Sequence, residues 1–379
     1  MHIAFLTPEY PHLDLNRSGG LGTSIKNLAS SLVEAGERVT VFVYSQAQDK
    51  QFGDQGIKIH SIAKRKYTFA GWYLHRRFLQ RYVNREILLQ HIDVIEAPDW
   101  TGITALMNFK CPLVIRCNGS DGYFCHLDNR KQKPKNRWFE KQALKSADHI
   151  LAVSAFTAKL TKEIFGLKKQ IQVIPNSIDT ELFKTSKVET EAHRILYFGT
   201  LIRKKGVLEL AKICNLLFQK NKAVKLILAG KDTTDVLVNR STKTLFLEQL
   251  QTEYHSQVQF VGVLPYAEIQ HELARASVVV LPSFAEALPM TWIEAMAMEK
   301  ALVTSDIGWA NEVMIDGETG YTVDPQNHEA YADAVLKLLN DEELSSKMGA
   351  NARKQVVEHF ATGVVVKQNL EFYKGIVKA

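Results

Sequence analysis

Two glutamates spaced for shared work, Glu286 and Glu294, lie in the stretch Ala-Glu-Ala-Leu-Pro-Met-Thr-Trp-Ile-Glu-Ala-Met-Ala from Ala285 to Ala297. The apolar run just before it, Ser277 to Pro282, predicts a buried strand. Pro289 is expected at the first helical position, where a missing N–H is no loss. Ile293, Met296 and Ala297 then follow at helical spacing. Glu286 and Leu288 therefore belong to the loop at the strand's carboxyl end. Met290 and Thr291 open the helix, and Glu294 lies about a turn inside it. Between the two carboxylates a helix N-terminus offers N–H groups and positive partial charge.

One carboxylate can accept from both hydroxyls of a ribose diol, and the other from hydroxyls of a sugar, with a diphosphate against the helix N-terminus between them. The pattern suits a sugar nucleotide. An ordinary amphipathic helix with two solvated glutamates shares the spacing, so the pair alone leaves both readings open. Arg203, Lys204 and Lys205 are consecutive cations in a loop running from Gly199 to Gly206. Near Glu286 they would neutralise a diphosphate, whereas alone they read first as a solvated surface. No Asp-x-Asp tripeptide occurs, which fits a diphosphate balanced by protein cations and a helix dipole rather than by a bound metal.

The elements that must position these groups follow from the rest of the chain. Its 379 residues are long for one core and suit two domains. Hydrophobic residues make up 46% and charged residues 23%, the composition of a soluble globular protein. The net charge of +6 suits phosphate ligands or an anionic membrane surface and is too diffuse to argue nucleic acid. Cys111, Cys117, Cys125 and Cys214 show no C-x-x-C spacing, so reduced thiols are expected rather than a zinc site. With a strand starting two residues in and no apolar run of membrane-spanning length, a cytoplasmic location is expected.

His2 to Thr7 reads as a strand, followed by Gly19-Gly20-Leu21-Gly22 and a helical stripe of Leu21, Ile25, Leu28, Leu32 and Val33. Arg38 to Val43 is the next strand. This opens a doubly wound sheet, with glycines that let backbone approach a ligand, although a plain tight turn has the same sequence. Strands recur at Asp93 to Ala97, Pro112 to Cys117, His149 to Val153 and Gln170 to Ile174, and their carboxyl-end loops include Asn118. The polar stretch Lys184 to His193 reads as a linker. A second series follows, with strands at Arg194 to Phe198, Ala223 to Ala229, Val258 to Val261, Val278 to Leu281 and Ala301 to Ser305. Two βαβ series mean two parallel-sheet domains. Residues 64–85 interleave Lys64, Arg65, Lys66, Arg76, Arg77, Arg81 and Arg85 with Tyr67, Phe69, Trp72, Tyr73, Phe78 and Tyr82. A helical wheel puts Leu74, Phe78, Tyr82 and Leu89 on one side. The segment reads first as a packed helix with a solvated basic face, or else as a docking surface for an anionic acceptor or for anionic lipid on the inner face of a membrane.

The chain resembles the retaining GT-B glycosyltransferases of the large family 4 (group 1). The resemblance covers nearly its whole length and rests on several motifs in order: Pro8-Glu9-Tyr10-Pro11 with Gly19-Gly20-Leu21-Gly22, Ser146-Ala147-Asp148 with Val153-Ser154, and Ile174-Pro175-Asn176-Ser177-Ile178-Asp179 with Phe183. It continues through Gly199 to Gly206, Glu286 to Glu294, and Glu312 with Asp316-Gly317-Glu318-Thr319-Gly320. It implies an α/β protein of two Rossmann-like doubly wound domains facing each other across a cleft. An acceptor-side domain over 1–184 would include a final helix near 363–379 packing back on it, and a nucleotide-sugar domain would span 185–362. It implies donor contacts at Gly20, Gly199, Arg203, Lys204, Lys205, Glu286, Leu288, Pro289, Met290, Thr291 and Glu294. Glu286 would hold the donor sugar, Glu294 the ribose and Lys205 the diphosphate, with Glu286, Lys205 and Asn118 as the catalytic set. The donor would be a UDP- or GDP-sugar, with no separate cofactor and no metal, and the acceptor a glycan or lipid-linked molecule, in polysaccharide assembly.

Three positions depart from the family pattern. Thr200 stands where an Arg usually follows the first glycine of the phosphate loop. Asn118 stands where many members carry a His, and Asn cannot titrate near neutral pH. Ser177 replaces a common glycine. Asn118 and Thr200 keep open the reading of a catalytically silent nucleotide-sugar-binding subunit, and a nucleotide-sugar epimerase of similar architecture is a separate alternative.

Overall fold

The computed structural model describes residues 1–185 and 188–378. The chain divides into two compact units, Met1–Ser177 with Thr362–Ala379, and Ile178–Ala361. The divide falls at 177/178, ahead of the boundary the sequence places at 184/185. Of the expected linker over 184–193, Ser186 and Lys187 lie outside the described residues, as does Ala379 at the end of the final helix. Glu191 donates its N–H to the Arg275 carbonyl at 2.9 Å, so the end of that stretch is packed into the second unit.

The first unit is built on an eight-stranded sheet: β1 (His2–Thr7), β2 (Arg38–Gln46), β3 (Lys50–Asp54), β4 (Ile57–Ala63), β5 (Val94–Pro98), β6 (Leu113–Cys117), β7 (His149–Ala152) and β8 (Gln172–Val173). Their order is β3-β4-β2-β1-β5-β6-β7-β8. Every pairing is parallel except the β3–β4 hairpin. That hairpin is absent from the strand series expected above. It turns on Gln55 and Gly56, with φ of 48° and 85°, the left-handed pair that a two-residue hairpin requires. Successive residues of each strand face opposite sides, and both sides are apolar because helices cover both. Ala4, Leu6, Ile95 and Ile115 face α2 (Gly71–Gln90), α4 (Pro134–Ser146) and α5 (Ala155–Phe165). Ile3, Phe5, Val94 and Val114 face α1 (Gly20–Glu34) and the final helix, Thr362–Lys378. A further short helix, α3 (Asp121–Leu127), follows β6.

A buried polar cluster ties the final helix to this sheet. Arg116 donates to Glu96 at 2.7 Å and to Asn369 Oδ1 at 2.6 Å, and the Tyr373 hydroxyl donates to Glu96 at 2.7 Å. The wheel drawn for α2 needs correcting. Its buried side is Leu79, Val83 and Ile87 with Arg76 and Glu86, while Leu74 and Leu89 are exposed. Arg76 is buried because its guanidinium lies 4.0 Å from the Phe139 ring centre and donates to the Gly102 carbonyl, which lets a cation occupy an apolar face.

The second unit holds a six-stranded, wholly parallel sheet: β9 (Arg194–Phe198), β10 (Lys225–Ala229), β11 (Val258–Gly262), β12 (Val278–Leu281), β13 (Leu302–Thr304) and β14 (Tyr321–Thr322), in the order β11-β10-β9-β12-β13-β14. Its helices are α6 (Val207–Lys220), α7 (Thr242–Gln249), α8 (Tyr266–Arg275), α9 (Met290–Ala297), α10 (His328–Asn340) and α11 (Glu342–His359), and the final helix of the chain is α12. The chain order reverses direction between β9 and β12, the switch point at which parallel sheets bind ligands beyond the strands' carboxyl ends. Among the described residues no helix is long and apolar enough to cross a membrane.

Candidate active site

The loops that leave β9 and β12 meet at that switch point. Gly206 makes the meeting possible. It has φ +71°, and a Cβ there would stand 1.9 Å from the Pro282 carbonyl oxygen, so only glycine lets the β9–α6 loop lie against the end of β12. Gly230 does the same on the other side, where a Cβ would stand 1.8 Å from the Gly199 carbonyl oxygen. The Lys204 carbonyl then accepts from the Phe284 N–H at 2.8 Å, which stitches the two loops together.

This packing brings Lys205 Nζ to 3.0 Å from Glu286 Oε1. Ser283, three residues earlier on the same loop, donates its hydroxyl to that oxygen, also at 3.0 Å, and fixes the carboxylate's direction. Glu286 is nearly buried, while Lys205 keeps about a fifth of its side chain exposed. A Cβ on Gly199 would lie 3.8 Å from Lys205 Nζ and 3.9 Å from Thr291 Cγ2. Gly199, Lys205 and Thr291 therefore border one space.

Helix α9 begins there, one residue later than expected. Pro289 is its N-cap, with ψ of 85°, and Met290 is the first helical residue. Pro289 itself gives no side-chain cap hydrogen bond, and the start of the helix opens on the same space. Leu288 and Pro289 are buried beneath it. Glu294 is half-buried, and burial pushes its carboxyl up to about 8, with the charge of Lys205 pulling the other way. A carboxyl in that state donates as well as accepts hydrogen bonds near neutral pH.

Arg203 is held differently from its neighbour Lys205. Its Nε donates to Asp235 Oδ2 at 2.7 Å, and the Asp235 carboxylate, wholly buried, also accepts from the N–H groups of Leu237 and Val238 at 3.0 and 3.1 Å. Arg203 thus ties its loop to the segment after β10. Sequence reading assigned Asp235 nothing, and no short-range pattern links two residues so far apart. Ser283 carried a fainter signal, a hydroxyl at a strand's carboxyl end three residues before the glutamate it orients.

Gly20 and Asn118 belong to the first unit. Gly20 is the first residue of α1, and a Cβ there would meet nothing within 4 Å. The Gly22 N–H of the same turn is already taken by Glu9 Oε1 at 2.9 Å. Asn118 follows β6 and lies with Ser24, Glu96, Arg116 and Asn176 around a small cavity of about 20 Å³. Its N–H donates to Asp99 Oδ1 at 3.1 Å. Asp99 is buried, its other carboxyl oxygen meets no hydrogen-bond partner among the described residues, and burial pushes its carboxyl up to about 8. Asp99 holds the Asn118 loop, a role the sequence reading missed.

Comparison with known proteins matches this arrangement. The family described as Glycosyl transferases group 1 matches residues 178–355, and Glycosyltransferase Family 4 matches residues 18–182. Glycogen synthase of Mycobacterium tuberculosis (strain ATCC 25618 / H37Rv) is 25% identical over 407 residues, covering 98% of this chain and 94% of that protein. Sucrose-phosphate synthase from Thermosynechococcus elongatus superposes with a TM-score of 0.79 at 20% identity, over 99% of this chain and 98% of that one. The Anabaena protein HepE, in complex with UDP and glucose, gives 0.77 at 18% identity, over 99% of this chain and 100% of that one. The two sheets, their switch-point loops and these matches agree: the chain belongs to the group 1 glycosyltransferases of family 4 type and has their GT-B fold.

Proposed function

We propose that this glycosyltransferase moves a hexose-type sugar, with retention of its anomeric configuration, from a UDP- or GDP-sugar to a glycan or lipid-linked acceptor in polysaccharide assembly. The observation that carries the reading is the Lys205–Glu286 pair at 3.0 Å beside the start of α9. A donor diphosphate entering this space meets Lys205, and the first-turn N–H groups of α9 at Met290 and Thr291. Glu286 accepts from hydroxyls of the transferred sugar, and Glu294 accepts from the ribose. A UDP-bound relative of the same fold supports a uridine donor, and GDP is the alternative base.

The bond from the sugar's anomeric carbon to the diphosphate breaks first. The electron pair leaves with the diphosphate, whose charge Lys205 and the α9 N-terminus stabilise. The acceptor hydroxyl attacks the oxocarbenium-like carbon from the same face and passes its proton to the departing phosphate oxygen. Protein cations and dipoles supply the charge balance in this scheme, so no metal is required. Lys204 adds to the positive field of the loop in place of the Arg that Thr200 replaces, while Arg203, paired with Asp235, holds the loop in position. Asn118 can hydrogen-bond a sugar hydroxyl but exchanges no proton near neutral pH.

The test is a screen of UDP- and GDP-sugars for stabilisation of the folded chain, followed by NMR of the product's anomeric configuration with the donor that binds. Stabilisation by one nucleoside diphosphate, lost in Glu294→Ala, with an α-linked product from an α-linked donor, supports the proposal. Binding without transfer or slow donor hydrolysis would move the assignment to a silent donor-binding subunit. An epimerised donor would make it an epimerase.

A further inference from the structure

The chain has five tryptophans. The second unit's two, Trp292 and Trp309, are wholly buried. The first unit's three, Trp72, Trp100 and Trp138, are 43%, 42% and 45% exposed. They come from separate stretches of sequence yet gather at one place. Trp72 on α2 lies 5.2 Å from the Phe139 ring, and Trp138 on α4 lies 5.0 Å from it. Trp100 belongs to the turn after β5 whose Gly102 sits directly against the Phe139 backbone. Around them Phe69 is 84% exposed, and Tyr67, Tyr73 and Leu74 are exposed as well. A soluble monomer gains nothing by leaving rings of this size in water, so a contiguous patch of them marks an interaction surface.

The charge around the patch identifies its partner. Residues 64–77 and 130–141 hold eleven Lys and Arg and a single acid, Glu140, against a net charge of only +6 for the whole chain. Glu140 is wholly buried, where it accepts from the N–H groups of Asp121 and Gly122. Lys64, Lys66, Lys131, Lys133 and Lys135 are exposed, and Lys135 Nζ stands 5.9 Å above the Phe139 ring. Arg65 is partly spoken for by Asp49.

We propose that this face of the first unit docks on an anionic lipid bilayer. Phe69 and Leu74 enter the boundary between headgroups and acyl chains, the tryptophan rings sit at headgroup level, and the lysines meet lipid phosphates. A sugar-stacking platform would also present tryptophans, but it orients hydroxyls with neighbouring carboxylates and amides. Here the exposed charged neighbours are cations, the amides of Gln132 and Asn136 are engaged by Asp121 and Glu140, and the most exposed ring, Phe69, has no polar atom to offer a sugar. The face lies at the carboxyl ends of β4 and β5, the edge of the first sheet from which the Asn118 loop also emerges after β6. Docking there would hold that edge toward the lipid surface.

Flotation of the full chain with vesicles tests this. Vesicles with about one-third phosphatidylglycerol should bind it on the order of a hundredfold more tightly than pure phosphatidylcholine, as expected for a few lysines at about fivefold each. The difference should shrink at high salt. Bound protein should show a blue shift of tryptophan emission, which only the three exposed tryptophans can give. Phe69→Ser and the double change Lys64→Glu with Lys66→Glu touch exposed side chains, so folding should survive and binding should fall at least tenfold in each. Equal binding to neutral and anionic vesicles, or variants that float like the native chain, would overturn the proposal. So would retention of the chain by a soluble polysaccharide, with the same variants abolishing that retention, and no flotation.

Discussion

Arg116 and Glu96 meet at 2.7 Å in the first unit with side chains 6% and 4% exposed, while Lys205 and Glu286 meet at 3.0 Å in the second with 21% and 11% exposed. The first pair is sealed. Glu96 and Tyr373 hold the Arg116 guanidinium charged, overcoming burial that alone would lower its pKa, and Asn369 and the Ile174 carbonyl accept two further N–H groups. The second pair is open on one side, and its cation has only one ion-pair partner among the described residues. A ligand's phosphate can therefore replace or share Glu286 at Lys205, whereas the cavity beside Arg116, about 20 Å³, is too small to admit one. The same chemistry makes a rivet in one unit and, in the proposed function, a binding group in the other, and access to solvent makes the difference.

The sealed pair gives the largest expected effect. Glu96→Gln removes one charge and leaves the other buried without its counter-ion, which costs about 3–5 kcal/mol. Urea unfolding should show this as a lower midpoint, and the α12 junction should become sensitive to proteolysis. Replacing both partners by apolar residues of similar size should recover much of the loss, because the uncompensated charge is then gone. If Glu96→Gln left stability unchanged, the rivet role would fail.

The open pair should behave in the opposite way. Lys205→Ala should slow turnover by about a hundred- to a thousandfold, roughly 3–4 kcal/mol in the barrier, the scale for losing one preorganised charge-stabilising donor. Its effect on stability should stay within about 1 kcal/mol, as for ion pairs with solvent access. Steady-state kinetics and unfolding on the same sample separate the two. A variant that lost several kcal/mol of stability but kept its activity would reverse the assignment and make the second pair the rivet.

These two pairs also show what a sequence discloses. Lys205, Glu286 and Glu294 were legible because each sits at a fixed offset from a strand end or a helix start, and those boundaries follow from apolar periodicity. Arg116 and Glu96 were not, because both lie inside runs that read as buried strand. Only the pairing of β5 with β6, and the return of α12 from the far end of the chain, bring them together. Asp235 was invisible for the same reason, as a partner defined by tertiary packing. The β3–β4 hairpin carried only a faint signal, the glycine of Gln55-Gly56, because its first strand is too exposed to show an apolar period. On α2 the wheel failed because cation–ring stacking put Arg76 inside, which a hydrophobic count cannot anticipate.

A third prediction sharpens the contrast by leaving both charges of the open pair in place. Gly206→Ala forces a side chain into a left-handed backbone position and against the Pro282 carbonyl, so the β9–α6 loop must shift. The cost should be about 1–3 kcal/mol. Because Lys205 is the adjacent residue, turnover should fall by more than the fraction unfolded explains. If activity tracked only the folded fraction, the placement of Lys205 would not depend on this loop contact.

The last prediction concerns Glu294, and its sign is fixed by the direction of its shift. Burial raises its folded-state pKa to about 8 from the ordinary 4.5. The folded chain therefore holds this proton more tightly than the unfolded chain does. Its contribution to stability is present in full below about 4.5 and declines as pH rises toward 8. Glu294→Gln carries no such proton, so the gap between variant and native chain should move in the variant's favour across that window, by less than about tenfold in the folding constant per pH unit. Binding should run the other way. In the proposed role the ionised carboxylate accepts from both ribose hydroxyls, and the protonated form turns one acceptor into a donor. Nucleoside diphosphate affinity of the native chain should therefore rise with pH up to about 8, after correction for phosphate ionisation, and the Gln variant should lack that rise. An affinity with the same pH profile in both would place the ribose elsewhere and leave Glu294 as a buried acid that the site tolerates rather than uses.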